Sequence, residues 1–191
     1  MTKRANILTQ MGARNDALED RQKDDFYATE PKAVELLLGK ESFNNGIWEP
    51  ACGQGHIAEV FKGKGYNVRA TDLVDRGYGE NRVDFLFEFK YWGGDIVTNP
   101  PFKLAKEFVY KSMELLKEGN KLAMFLKIQF LEGQERLELF KKYPPKRIYV
   151  ASQRLNCAKD GDFEKYTSSA MCYAWIIWEK GNKELPTLDW I

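Results

Sequence analysis

Cysteine is scarce and odd in number: Cys52, Cys157 and Cys172 are the only three, and no two form a Cys-x-x-Cys pair. Neither a disulfide framework nor a zinc site is indicated, so the three read as reduced thiols and no metal is expected. No run approaches the roughly 20 apolar residues that a membrane helix needs, and the start Met1-Thr2-Lys3-Arg4 is not followed by an apolar signal core. A cytoplasmic protein without membrane contact is expected. Charge of one sign is also missing, with 29 basic residues against 28 acidic. No global field drives the chain onto nucleic acid, and any such binding must come from a local basic surface. A length of 191 residues with 43% hydrophobic content supports one core and is too short for two ordinary domains.

What is present begins after a polar stretch. Residues 1–25 are mixed in charge, lack a sustained apolar period, and read as a flexible arm ahead of a single domain over 26–191. Thr29 or Glu30 can cap a helix that has Pro31 in its first turn, an apolar face of Val34, Leu37 and Leu38, and Gly39 to end it. From Gly46 onward short apolar runs alternate with helical stretches, the pattern of a mainly parallel sheet with crossover helices. The expected strands are 46–48, 67–71, 95–98, 121–127, 147–150 and 173–178, with helices over 103–117 and 134–142. Gly119 stands where a left-handed cap belongs after the first of these helices.

Two segments carry chemistry. The run Asp95-Ile96-Val97-Thr98 ends in Asn99-Pro100-Pro101-Phe102. An exocyclic amine on a nucleobase is a poor nucleophile because its lone pair is delocalised into the ring. Two acceptors aimed at its hydrogens favour the tetrahedral form that attacks; Asn99 offers a side-chain carbonyl and Pro100 a backbone carbonyl held by a stiff Pro-Pro step. Phe102 offers a ring on which a flat base can stack. The plainer alternative is a turn after a strand with Phe102 in the core.

Upstream, Glu49-Pro50-Ala51-Cys52-Gly53-Gln54-Gly55 follows the first expected strand and opens a helix. Two glycines there let the backbone turn sharply and approach a ligand. Roughly 20 residues on, Asp72 is placed to accept from ribose hydroxyls. The same glycines fit G-x-G-x-x-A, so a nicotinamide or flavin enzyme competes. A pyrophosphate, however, sits poorly beside Glu49, whereas a donor with an ammonium and a sulfonium suits it. His56, the sole histidine, reads as a polar helix-start residue, and Cys52 as a backbone contact.

With these segments the chain resembles the class I S-adenosylmethionine-dependent methyltransferases, and among them the small phage or prophage-type DNA adenine-N6 methyltransferases. The subgroup resemblance rests on Phe130-Leu131-Glu132-Gly133-Gln134-Glu135-Arg136, Pro144-Pro145-Lys146-Arg147-Ile148-Tyr149-Val150 and Ala174-Trp175-Ile176-Ile177-Trp178-Glu179-Lys180-Gly181. It implies an α/β Rossmann-like fold, with a mostly parallel central sheet, an antiparallel C-terminal strand, and helices on both faces. It also implies S-adenosylmethionine as cofactor. Glu49, Ala51, Cys52, Gly53 and Gly55 would hold its methionyl part, Asp72 its ribose, and Asp84 with Phe85 its adenine moiety. Tyr27, Thr29 and Pro31 match a motif that closes over the methionine end, although Glu30 stands where a second proline is often found. Asp84 can equally be a solvent-facing charge. Asn99, Pro100, Pro101 and Phe102 would form the catalytic segment, acting on adenine taken out of the stack.

The expected partner is DNA. A basic cluster of Lys141, Lys142, Lys146 and Arg147, with Arg154, Lys159 and Lys165 in the polar stretch 152–169, is the candidate phosphate surface, Lys141, Lys142, Arg154 and Lys165 foremost. A solvated lysine-rich face is the alternative. No separate target-recognition domain is expected. Adenine in RNA, a protein glutamine amide, or a catalytically silent nucleic-acid-binding module are the competing functions.

Overall fold

The computed structural model describes residues 26–159, 161–164 and 171–191; the arm 1–25, and Lys165 with it, lie outside the described residues. In chain order the elements are β1 (Tyr27–Thr29), α1 (Pro31–Lys40), β2 (Gly46–Glu49), α2 (His56–Gly63), β3 (Asn67–Ala70), β4 (Asp95–Thr98), α3 (Ala105–Leu115), β5 (Lys121–Lys127), α4 (Gln134–Lys142), β6 (Arg147–Val150), β7 (Cys157–Lys159), β8 (Tyr173–Glu179) and β9 (Thr187–Trp190).

Seven strands form one sheet in the order β3-β2-β4-β5-β8-β6-β9. Strands β3, β2, β4 and β5 run parallel, while β8 is antiparallel to both β5 and β6. β5 and β8 are continuous apolar runs because both of their faces are covered. One face packs Ala33, Val34 and Leu37 of α1 and Ile57 and Phe61 of α2 onto Ile47, Val97, Phe125 and Trp175. The other packs Phe108, Val109 and Met113 of α3 and Leu139 of α4 onto Trp48, Ile96, Met124 and Trp178. Alternation along each strand thus feeds two helical layers, as a doubly wound sheet requires.

Three strands escape the sequence reading. β9 follows the antiparallel strand and adds to the sheet parallel to β6, with Leu188 and Trp190 exposed. β1 and β7 form a separate two-stranded ladder pairing Tyr27 with Lys159 and Thr29 with Cys157. Gly39 does not end α1, which runs to Lys40 and stops where Glu41 turns extended. The helix expected from residue 103 starts at Ala105, after a short 3-10 turn over Phe102–Leu104, and gives way at Leu116, whose backbone is extended. Gly119 takes a φ of 83°, but in the turn that leads into β5 rather than as a helix cap. Among the described residues no helix is long and apolar enough to cross a membrane. No group of three or more His, Cys, Asp or Glu side chains able to hold a metal occurs among them either.

Candidate active site

The carboxyl ends of β2, β3 and β4 open into a cavity of about 360 Å³ that joins the glycine turn to the Asn-Pro-Pro-Phe segment. Ligand sites in open α/β sheets lie at this edge, where adjacent crossovers leave in opposite directions. Tyr27, Thr29, Glu49, Ala51, Cys52, Asp72, Asn99, Pro100, Pro101 and Phe102 all line it. Of the other expected residues, Gly53 and Gly55 shape the turn behind the wall. Pro31 is exposed in the first turn of α1, and Glu30, the residue in the second proline's place, accepts from the Asn156 N–H at 3.0 Å.

The turn needs its glycines. Gly53 and Gly55 have φ of 54° and 87°, and a Cβ on either would fall 2.1 Å from the Phe26 ring or 2.5 Å from the Tyr78 ring. Asp72 braces the turn, accepting from the Gly53 N–H at 2.8 Å and the Val74 N–H at 2.9 Å. Glu49 is 2% exposed, accepts from the Ala58 N–H of α2 at 2.8 Å, and has no ion-pair partner among the described residues. Burial holds its carboxyl well above the usual carboxylate range, with the Asp72 charge adding to the rise and the Ala58 bond opposing it. Burial likewise lifts the Cys52 thiol to about 12, which makes it an inert wall rather than a nucleophile. His56 lines the cavity edge-on to Phe163, and burial lowers its pKa.

At the other end of the cavity, the Asn99 amide is held in one orientation. Its Nδ2 donates to the Tyr27 carbonyl and to Thr29 Oγ1, each at 3.0 Å, and lies 3.7 Å from Cys157 Sγ. A backbone carbonyl only accepts, so the nitrogen is fixed on that side and Oδ1 on the other. Asn99 Oδ1 is buried and has no hydrogen-bond partner among the described residues. An open acceptor of this kind is costly unless a ligand fills it. Phe102 lies nearly parallel to Tyr27, at 22° and 6.3 Å between centroids, with Lys127 Nζ 4.5 Å from its own centroid.

Besides Pro31, Gly53 and Gly55, two more of the expected cofactor contacts do not line the cavity. Phe85 is 2% exposed and packs between Trp48 and Phe108, and Asp84 spends its Oδ1 on the Leu86 N–H, capping a short 3-10 turn. Leu73, Val74 and Arg76 line that side of the cavity instead. The basic cluster lies away from the cavity: Lys141 and Lys142 end α4, ahead of Arg147 at the start of β6, at the sheet edge opposite the cavity. Lys141 pairs with Glu138, Lys146 with Glu179 and Glu184, and Arg147 with Glu41, while Lys142 lies over Tyr110 and Tyr143. Arg154 is exposed beyond β6, on the cavity's edge of the sheet. Phe26, Lys103 and Lys127 are contacts that sequence reasoning missed. Phe26 and Lys103 adjoin motif residues, and Lys127 is the last residue of a strand that was read correctly.

No protein-family model matches the chain, and no curated protein does. Solved structures do. A structure described as a class I S-adenosylmethionine-dependent methyltransferase from Listeria monocytogenes superposes with a TM-score of 0.64 at 14% identity, over 98% of this chain and 72% of the other. One described as an RNA methyltransferase from Pyrococcus horikoshii gives 0.53 at 13%, over 78% and 83%. An S-adenosylmethionine-dependent O-methyltransferase from Thermotoga maritima gives 0.51 at 17%, over 80% and 65%. The fold is the Rossmann-like one that these methyltransferases share.

Proposed function

We propose that this chain transfers a methyl group from S-adenosylmethionine to the N6 amine of adenine in DNA. The observation that carries the reading is Asn99 Oδ1, a buried acceptor without a hydrogen-bond partner among the described residues, on a side chain whose nitrogen is anchored and which lines the cavity together with Phe102. An amine bound there donates one hydrogen to Asn99 Oδ1 and the other to the Pro100 carbonyl, which draws the nitrogen out of conjugation. Phe102 supports the base face-on. Positioning and polarisation carry the catalysis, with no covalent enzyme intermediate.

The cavity suits the methyl donor. A buried carboxyl without a cation, Glu49, fits a ligand ammonium and disfavours the pyrophosphate of a dinucleotide. Asp72 retains lone pairs beyond its two backbone bonds for ribose hydroxyls, and Leu73 offers an apolar surface beside it. When bound, S-adenosylmethionine supplies an electrophilic methyl on a cationic sulfur. The fold shared with methyltransferases, one of them described as acting on RNA, supports both the donor and a nucleic-acid acceptor.

The test is incubation of genomic DNA with enzyme and labelled donor, followed by nucleoside analysis. N6-methyldeoxyadenosine is the expected product, and N99A forms it about 10²–10³-fold more slowly. Label found only in RNA or in protein glutamine, or full activity in N99A, rejects the assignment.

A further inference from the structure

The two ends of the cavity carry different groups: the glycine-turn end has the buried carboxyls of Glu49 and Asp72, while at the Phe102 end Lys103 lines the wall and the Lys127 ammonium lies over the Phe102 ring. Lys103 lies in the turn next to Phe102 and lines the mouth. Lys127 closes β5 opposite Tyr173 and holds its Nζ 4.5 Å from the Phe102 centroid. Among the described residues neither lysine has a carboxylate partner, whereas Lys121, Lys141, Lys146 and Arg147 at the opposite edge all do. Glu30, from the neighbouring β1–α1 junction, is taken up by the Asn156 N–H.

We infer that Lys103 and Lys127 form a phosphodiester-binding site for the nucleotide whose base stacks on Phe102. The inference rests on the adenine reading for the identity of that base. In a nucleotide the phosphates are joined to the base through a single sugar, so a base on Phe102 brings its own phosphates to the ring's edge, within reach of two flexible lysines. A cation over an aromatic ring is held more weakly than one hydrogen-bonded to a phosphate oxygen. The strand therefore draws the Lys127 ammonium off the ring as the base arrives, and that exchange exposes the stacking face.

The test is the affinity of the full chain for a short single-stranded oligodeoxynucleotide containing one adenine, measured over a salt series without turnover. Each lysine that loses a phosphate lowers the slope of log Kd against log salt by about 0.7. The double variant K103Q/K127Q is expected to flatten the slope accordingly, with donor binding by calorimetry unchanged as the check on folding, while K141Q/K142Q keeps the wild-type slope. An unchanged slope in K103Q/K127Q, or a slope set by Lys141 and Lys142, overturns the site. A lysine-dependent slope in a protein that never methylates adenine supports the site and rejects the adenine reading, so the two fail separately.

Discussion

The two edges of the sheet handle buried polar groups in opposite ways. At the edge formed by the amino ends of the strands, Glu41 is 6% exposed and accepts from Lys121 Nζ at 2.9 Å, from the Tyr149 hydroxyl at 2.8 Å and from both the Nε and an amino group of Arg147. Asp95 beside it accepts from the Asn44 and Lys121 backbone N–H groups and the Asn44 amide. At the cavity edge, Glu49 has one N–H and no cation, and Asn99 Oδ1 has nothing among the described residues. One edge joins elements together, and the other leaves acceptors unpaired or singly bonded around a cavity. Glu107 and Ser112 of α3 also hold buried polar atoms without a partner among the described residues, so it is the coincidence of such an atom with the cavity, at Asn99, that marks the candidate site in a fold that many chemistries share.

If that contrast is right, substitutions at the two edges separate activity from stability. The largest effect is expected for N99A, which removes a preorganised acceptor and should lower kcat about 10²–10³-fold, with only a small loss of melting temperature from the two bonds that Nδ2 donates to Tyr27 and Thr29. A drop in stability matching the loss of activity would make Asn99 a structural residue. E41Q should do the reverse: stability falls by about 3 kcal/mol in urea unfolding, because the carboxylate that Lys121 and Arg147 share is gone, while activity per folded molecule holds.

The pH dependence of the same residue sharpens the point. Burial alone would raise the Glu41 carboxyl, but its bonds from Arg147, Lys121 and Tyr149 leave it below the usual carboxylate value of 4.5. A lowered folded value contributes stability above the unfolded pKa and loses it as pH falls through the folded one. Acid unfolding should therefore soften in E41Q relative to wild type, and identical acid limbs would count against the network.

Smaller effects probe the cavity edge. F102A removes a stacking surface worth about 1–3 kcal/mol and should raise KM for the nucleic acid about tenfold, with donor affinity unchanged in calorimetry. T29V deletes one of the anchors that hold Asn99 Nδ2, a hydrogen bond of about 1 kcal/mol, and should lower kcat about fivefold with KM for the donor unmoved; T29S should restore it. A KM effect on the donor instead would return Thr29 to the cofactor side.

Much of this was legible in the residues. Strands 121–127 and 147–150 are found at those bounds, because long or alternating apolar runs flanked by Gly and Pro leave little choice. The glycine turn and the Asn99 segment were readable because each requires unusual residue types at fixed spacing. What escaped depends on distant pairing. β1 and β7 are three residues each and exist through a ladder between positions 27–29 and 157–159, which no local period announces. Asp84 and Phe85 follow a motif order, but Phe85 is drawn into the core by Trp48 and Phe108. A charge cluster such as Lys141 to Arg147 reveals its sign and not its edge of the sheet; only the parallel crossing of the chain decides that.

Glu41 also says something about the order in which the protein can be made. Its partners Lys121, Arg147 and Tyr149 lie 80, 106 and 108 residues later. During synthesis that carboxylate must therefore stay in water until most of the chain has left the ribosome, and its enclosure marks the arrival of β6 beside α1. The clasp costs a long loop closure, so it closes late, and a chain halted before Arg147 carries an unmatched acid where the finished protein has a seal.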